Sequence, residues 1–188
     1  MNWIIFSLVL IWLGIISWFD IRKNEIPHSF WVILPLIGAC VFQASQGDWR
    51  LVLLAVFVVA ISERERLSQL LHRGEICKIF TWFPILLLGL FFAIQFSPIA
   101  AFAILGFWVA WELKWWGGAD GVAALTLILI YPKVTFILAF LGVHVIVTLG
   151  LTICSLLKSK SIKLHQIPGL PLLLLAVLSY QIVQCFPL

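Results

Sequence analysis

Charge is scarce in this chain. Lysine, arginine, aspartate and glutamate together make up 11% of its 188 residues, where a soluble domain carries about 25%. That shortage excludes an ordinary solvated surface. The 63% of hydrophobic residues excludes a soluble core large enough to hide them, so the solvent this composition needs is lipid. Cysteine is sparse too: Cys40, Cys77, Cys154 and Cys185 stand far apart with no C-x-x-C pair. They read as small apolar residues, with neither a zinc site nor a disulfide framework. Glycine/serine linkers, low-complexity tracts and fixed-period repeats are missing, so a single domain, 1–188, accounts for the chain. The N-terminal stretch has no basic n-region and no small-residue cleavage site, and it reads as a retained first span. The formal charge of +4 comes from basic residues scattered between apolar runs, which is no nucleic-acid patch.

What is present is hydrocarbon in eight runs, at roughly 2–19, 29–45, 50–62, 79–96, 99–113, 120–132, 134–157 and 169–186. A bilayer span takes about 20 residues. The expectation is an all-α, polytopic transmembrane helix bundle of about eight spans. The third and sixth runs are short, and only Ser97-Pro98 divides the fourth from the fifth, so six spans with two re-entrant pieces is the alternative. With eight spans and the N-terminus outside, the inner loops hold Arg22, Lys23, Arg64, Arg66, Arg73, Lys78, Lys114, Lys158, Lys160 and Lys163, and the outer loops only Arg50 and Lys133. Such a positive-inside bias sets the orientation in a cell membrane and puts Asp20 and Asp120 on the cytoplasmic side. The polar stretch "SERERLSQLLHRGE" from Ser62 has leucines at 67, 70 and 71, the pattern of an amphipathic surface helix.

Two carboxylates stand out. Asp20 ends the first apolar run in "SWFDIRKNEIPHSFW", and its plain role is a helix-end charge paired with Arg22 or Lys23. Asp120, in "KWWGGADGVAAL", precedes an immediate apolar run and starts at the hydrocarbon edge. Gly117 and Gly118 allow a tight turn with positive φ, and Asp120 could simply cap the next helix. Together the pair says more. Two carboxylates at one site cannot both ionise easily and hold a proton between them. The ionised member can activate a water and the protonated one can donate to a peptide carbonyl, which is peptide hydrolysis without metal or cofactor. The glycines beside Asp120 would let an extended substrate backbone come close.

At these residues the chain resembles the type IV prepilin peptidases and archaeal preflagellin peptidases, membrane aspartic proteases with a G-x-G-D motif. "DIRKNEIPHSF" is similar to their first catalytic segment, an aspartate followed by a basic pair and Ile26-Pro27. "GGADGVAALTLILIYP" is similar to the second, and "IPGLPLLLLAVL" from Ile167 to the closing Ile-Pro element. The resemblance implies that Asp20 and Asp120 are the catalytic pair, with Gly117, Gly118, Ala119, Ile26 and Pro27 as supporting motif residues. It implies a prepilin-like, pseudopilin or preflagellin-like substrate whose short basic leader is cut at the cytoplasmic membrane face. Ala119 stands where the family usually has its second motif glycine, Val122 where many members have lysine, and His28 where an asparagine is frequent. The paired-cysteine insert of the larger bacterial enzymes is missing.

The remaining polar residues have plainer readings. Glu112 is an interfacial partner of Lys114 or a modulator of the aspartate pair. His144 lies mid-span and suits an interhelical hydrogen bond. Glu63, Glu65 and Glu75 suit a solvated helix face, or the attraction of a basic leader. The rival to a peptidase is a proteolytically inactive relative serving as a scaffold, or a small transporter. A transporter calls for inverted repeats and midplane polar groups. A presenilin-like enzyme also flanks its aspartate with glycine but keeps both aspartates within spans.

Overall fold

The computed structural model describes residues 3–23, 29–63, 83–113, 116–158 and 169–185. The protein is all-α: the described residues form eight α-helices and one π-helical turn. They group into two compact units, residues 1–31 with 134–188 and residues 32–133.

The first unit holds α1 (Trp3–Lys23), α7 (Val134–Lys158) and α8 (Gly169–Cys185), with α8 packed against both others. Helix α1 contains no proline, and its one glycine does not interrupt it. Its buried side chains are Phe6, Val9, Leu13, Ile16 and Ser17, a 3-4-3 spacing that makes one stripe along the helix. The opposite face exposes Trp3, Ile4, Leu8, Ile11, Trp18 and Ile21. Helix α8 answers with Leu170, Leu173, Ala176, Val177 and Tyr180, all buried. Tyr180 meets Phe136 of α7 edge to face, with ring centroids 5.7 Å apart, and shares a side-chain hydrogen bond with Thr135. His144 of α7 stacks on Phe140 one turn before it. After α1 the chain re-enters at a π-helical turn, Ser29–Ile33. Trp12 of α1 donates its indole N–H to the Trp31 carbonyl at 2.7 Å, and Phe19 lies against the Trp31 ring.

The second unit holds α2 (Leu34–Ser45), α3 (Trp49–Ser62), α4 (Phe83–Phe96), α5 (Pro98–Glu112) and α6 (Gly118–Ile130). Gly47, at φ 87°, turns the chain between α2 and α3, a left-handed geometry that costs glycine nothing. Ser97 breaks the run between α4 and α5, and Pro98 opens α5, where its missing N–H is no loss. Helix α3 packs against α2, α4, α5 and α6, and small residues at the contacts let backbones approach: Ala39, Ala55, Gly89, Ala93, Ala100 and Ala101 are all buried. Helix α6 is the core. Every residue from Gly121 to Leu129 is buried, and Thr126 satisfies its hydroxyl by donating to the Val122 carbonyl at 2.8 Å.

Most of the helices are short relative to a bilayer. One stretch among the described residues, Trp3–Arg22, has both the length and the apolarity to cross a membrane; α7 runs 25 residues, of which Val134–Val147 counts as a shorter apolar stretch, and the apolar parts of the remaining helices run 10–17 residues. Every helix except α6 nevertheless exposes large apolar side chains. The amphipathic stretch expected after Ser62 lies mostly outside the described residues.

Candidate active site

Asp20 continues the buried stripe of α1, three residues after Ser17 and four after Ile16. That register turns its side chain toward the packed face instead of outward. Its Oδ2 is sealed from solvent and accepts no hydrogen bond among the described residues. The expected pairing with Arg22 does not form. Arg22 lies on the exposed side of α1, where its guanidinium sits 4.4 Å from the Trp18 ring centre and is stabilised by that ring. The physical reason is spacing: residues two apart on a helix project to different faces, whereas Trp18 and Arg22, four apart, share one. The Lys23 side chain, Ile26, Pro27 and His28 lie outside the described residues.

Asp120 belongs to the second unit, in the first turn of α6. Gly117 is the N-cap, with φ −67° and ψ 155°. The positive φ expected at Gly117-Gly118 is not used, because an N-cap takes an ordinary extended conformation and Gly118 is already helical. Asp120 is therefore not the cap itself. It stands at the third helical position, where its Oδ2 reaches back to accept the Gly117 N–H at 3.3 Å. Glycine brings no side chain, so only the carboxylate half of a capping box can form. At 3.3 Å the bond is longer than the roughly 2.7–2.9 Å of a strong charge-assisted contact, so it fixes the carboxylate loosely. The helix N-terminus also favours a negative charge here.

The glycines serve packing more than turning. A Cβ on Gly121 would come within 2.9 Å of the Trp111 indole, so the last turn of α5 is laid directly on the first turn of α6. Gly118 lies near the same indole and near Glu63 Oε1, each 3.6 Å from where its Cβ would be. Ala119 is half-buried beside Asp120. Val122, at the position where the resembled motif has lysine in many cases, is fully buried and faces the core. Glu112 is exposed, and its Oε1 accepts the Ser62 hydroxyl at 3.2 Å; Lys114, its expected partner, lies outside the described residues. The ends of α3 and α5 thus bring Glu63, Ser62 and Glu112 to the N-terminal end of α6. From the sequence Glu63 suits a solvated helix face or the attraction of a basic leader, and Trp111 carries no assigned role.

Among the described residues no group of three His, Cys, Asp or Glu side chains is placed to hold a metal ion. Cys40 and Cys185 are free thiols. None of the known protein families, curated proteins or solved structures compared with the chain matches it.

Proposed function

We propose that this protein is a polytopic membrane aspartic endopeptidase of the prepilin-peptidase type, with Asp20 and Asp120 as its catalytic carboxylates. The observation that carries the reading is the Oδ2 of Asp20, sealed on the packed face of α1 with no hydrogen-bond partner among the described residues. A carboxylate kept only for structure at a helix end has a cation, a backbone N–H or water as its partner. A sealed carboxylate oxygen with no protein donor among the described residues is a candidate to hold a proton or a water. Asp120 supports it from the second unit: a half-buried carboxylate in the first turn of α6, just ahead of the buried stretch Gly121–Leu129, that accepts the Gly117 N–H. The apolar side chains exposed on seven of the eight helices support a lipid setting. So do the 63% hydrophobic composition and the positive-inside charge distribution.

The chemistry follows from two carboxyl groups sharing a proton. The ionised one removes a proton from water as the water oxygen bonds to the scissile carbonyl carbon. The protonated one donates to the carbonyl oxygen. Collapse of the tetrahedral intermediate breaks the C–N bond, and a proton goes to the departing amine. The substrate is a precursor with a short basic leader ahead of an apolar helix. That helix lies in lipid against the bundle, which positions the scissile bond at the cytoplasmic rim at little entropic cost.

A second reading, an inactive relative serving as a scaffold, is favoured by the bond from Gly117 to Asp120 and by apolar Val122 in place of lysine. Co-expression in membranes with a pilin-like precursor, followed by mass spectrometry of the precursor's N-terminus, separates the two. Leader removal by the wild type that Asp20→Asn or Asp120→Asn abolishes supports the peptidase. Intact precursors in the presence of wild type, where an active prepilin peptidase cuts them, support the scaffold.

A further inference from the structure

One turn before Asp20 on the same buried face stands Ser17, 5% exposed. Its Oγ is buried and, among the described residues, has no hydrogen-bond partner. Both features are unusual. A serine inside a helix ordinarily returns its hydroxyl to the carbonyl four residues back, as Thr126 does in α6. A buried polar atom without a partner is destabilising, so one usually has a partner such as an ordered water. The next polar atom along the stripe is Asp20 Oδ2, equally sealed and equally without a partner. Residues three apart on a helix have Cβ atoms about 5–6 Å apart, which is the spacing one bridging water spans. One buried hydroxyl and one buried carboxylate oxygen supply two of the roughly three hydrogen bonds such a water makes. Among the described residues no neighbouring cation competes for the site. Arg22 is committed to the Trp18 ring, and α8, which packs on α1, carries no ionisable side chain before Tyr180.

We propose that Ser17 is a positioning residue, which with Asp20 Oδ2 holds the water that attacks the scissile bond. The proposal rests on Asp20 being the catalytic carboxylate. The Ser17 hydroxyl fixes the water's orientation. Asp20 takes its proton, and the water oxygen, freed of that proton, bonds to the carbonyl carbon. The third hydrogen-bonding direction of the water is left for the substrate. This gives α1 a polar step just inside the apolar run, in a position where alanine or leucine would otherwise complete the stripe.

The test reads the carboxyl directly, with or without turnover. Infrared spectra of the full chain in lipid nanodiscs are recorded for wild type, Asp20→Asn, Ser17→Ala and Ser17→Thr. The carboxyl band missing from Asp20→Asn belongs to Asp20. Ser17→Ala shifts that band to the position of a less hydrogen-bonded group, and Ser17→Thr, which keeps the hydroxyl, leaves it in place. A band unchanged in Ser17→Ala, or displaced equally by Ser17→Thr, overturns the proposal. In the cleavage assay Ser17→Ala lowers kcat about tenfold at constant KM, the loss of one hydrogen bond of about 1.4 kcal/mol in the transition state. An unchanged kcat also overturns it. Should the wild type cut no precursor at all, the peptidase reading fails while the infrared comparison still decides whether Ser17 and Asp20 share a partner.

Discussion

Gly118 and Gly121 sit one turn apart at the start of α6, and their surroundings make opposite demands. A methyl group on Gly118 meets only ordinary contacts at 3.6 Å, and helix propensity favours alanine there. A methyl group on Gly121 meets the flat of the Trp111 indole at 2.9 Å, where ring and backbone are both committed. Gly118→Ala therefore leaves the thermal midpoint of the purified protein within error. Gly121→Ala lowers stability by about 1–3 kcal/mol, the usual cost of overpacking. Thermal unfolding followed by tryptophan fluorescence distinguishes them, and equal behaviour of the two variants contradicts the packing argument. At this scale the sequence was only partly legible. Asp120 at the head of an apolar run could be read directly. That Gly121 faces an indole could not, because the contact depends on how α5 turns back onto α6. The missing Asp20–Arg22 pair is a matter of helix geometry, and a stricter use of the 3.6-residue period would have assigned Arg22 to Trp18.

Helix α6 is buried on all sides over Gly121–Leu129, although its apolar run looks no different from those of α3 or α4. Periodicity marks which side of a helix is apolar, and a helix apolar all round leaves nothing to read. The boundaries themselves were legible. All eight apolar runs correspond to helices, and the break at Ser97-Pro98 separates α4 from α5 because proline starts a helix more easily than it continues one. The burial of α6 carries a prediction about the departure from the resembled motif. Val122→Lys, which introduces the lysine of the resembled motif, places an ammonium at a fully buried position without a carboxylate in the same turn to receive it other than Asp120, two residues away on another face. The cost is several kcal/mol. Val122→Lys thus loses folded protein on size-exclusion in detergent, and a well-folded, more active variant would show that this turn of α6 opens to the site.

At the scale of the whole molecule the proposal makes a claim about sidedness. Of the twelve lysines and arginines, only Arg50 and Lys133 fall on the outer face in the eight-span reading. In a variant whose four cysteines are replaced, Lys133→Cys reacts with a membrane-impermeant maleimide in intact cells, and Lys163→Cys reacts only after permeabilisation. The reverse pattern places both aspartates outside and removes cytoplasmic leader cleavage. The helices of 12 to 15 residues, α2 to α6, cover about 18–23 Å at 1.5 Å per residue, short of the roughly 30 Å hydrocarbon core. On the proposed reading the bilayer thins around them. The central claim is that Asp20 and Asp120 act as one unit, and the most direct measurement is the initial rate of precursor cleavage by Asp20→Asn, Asp120→Asn and the double variant in matched membranes. A working pair loses all activity with either substitution, and the double variant is no worse than the singles. Cleavage by either single variant within about tenfold of wild type, or losses that multiply in the double variant, would contradict it.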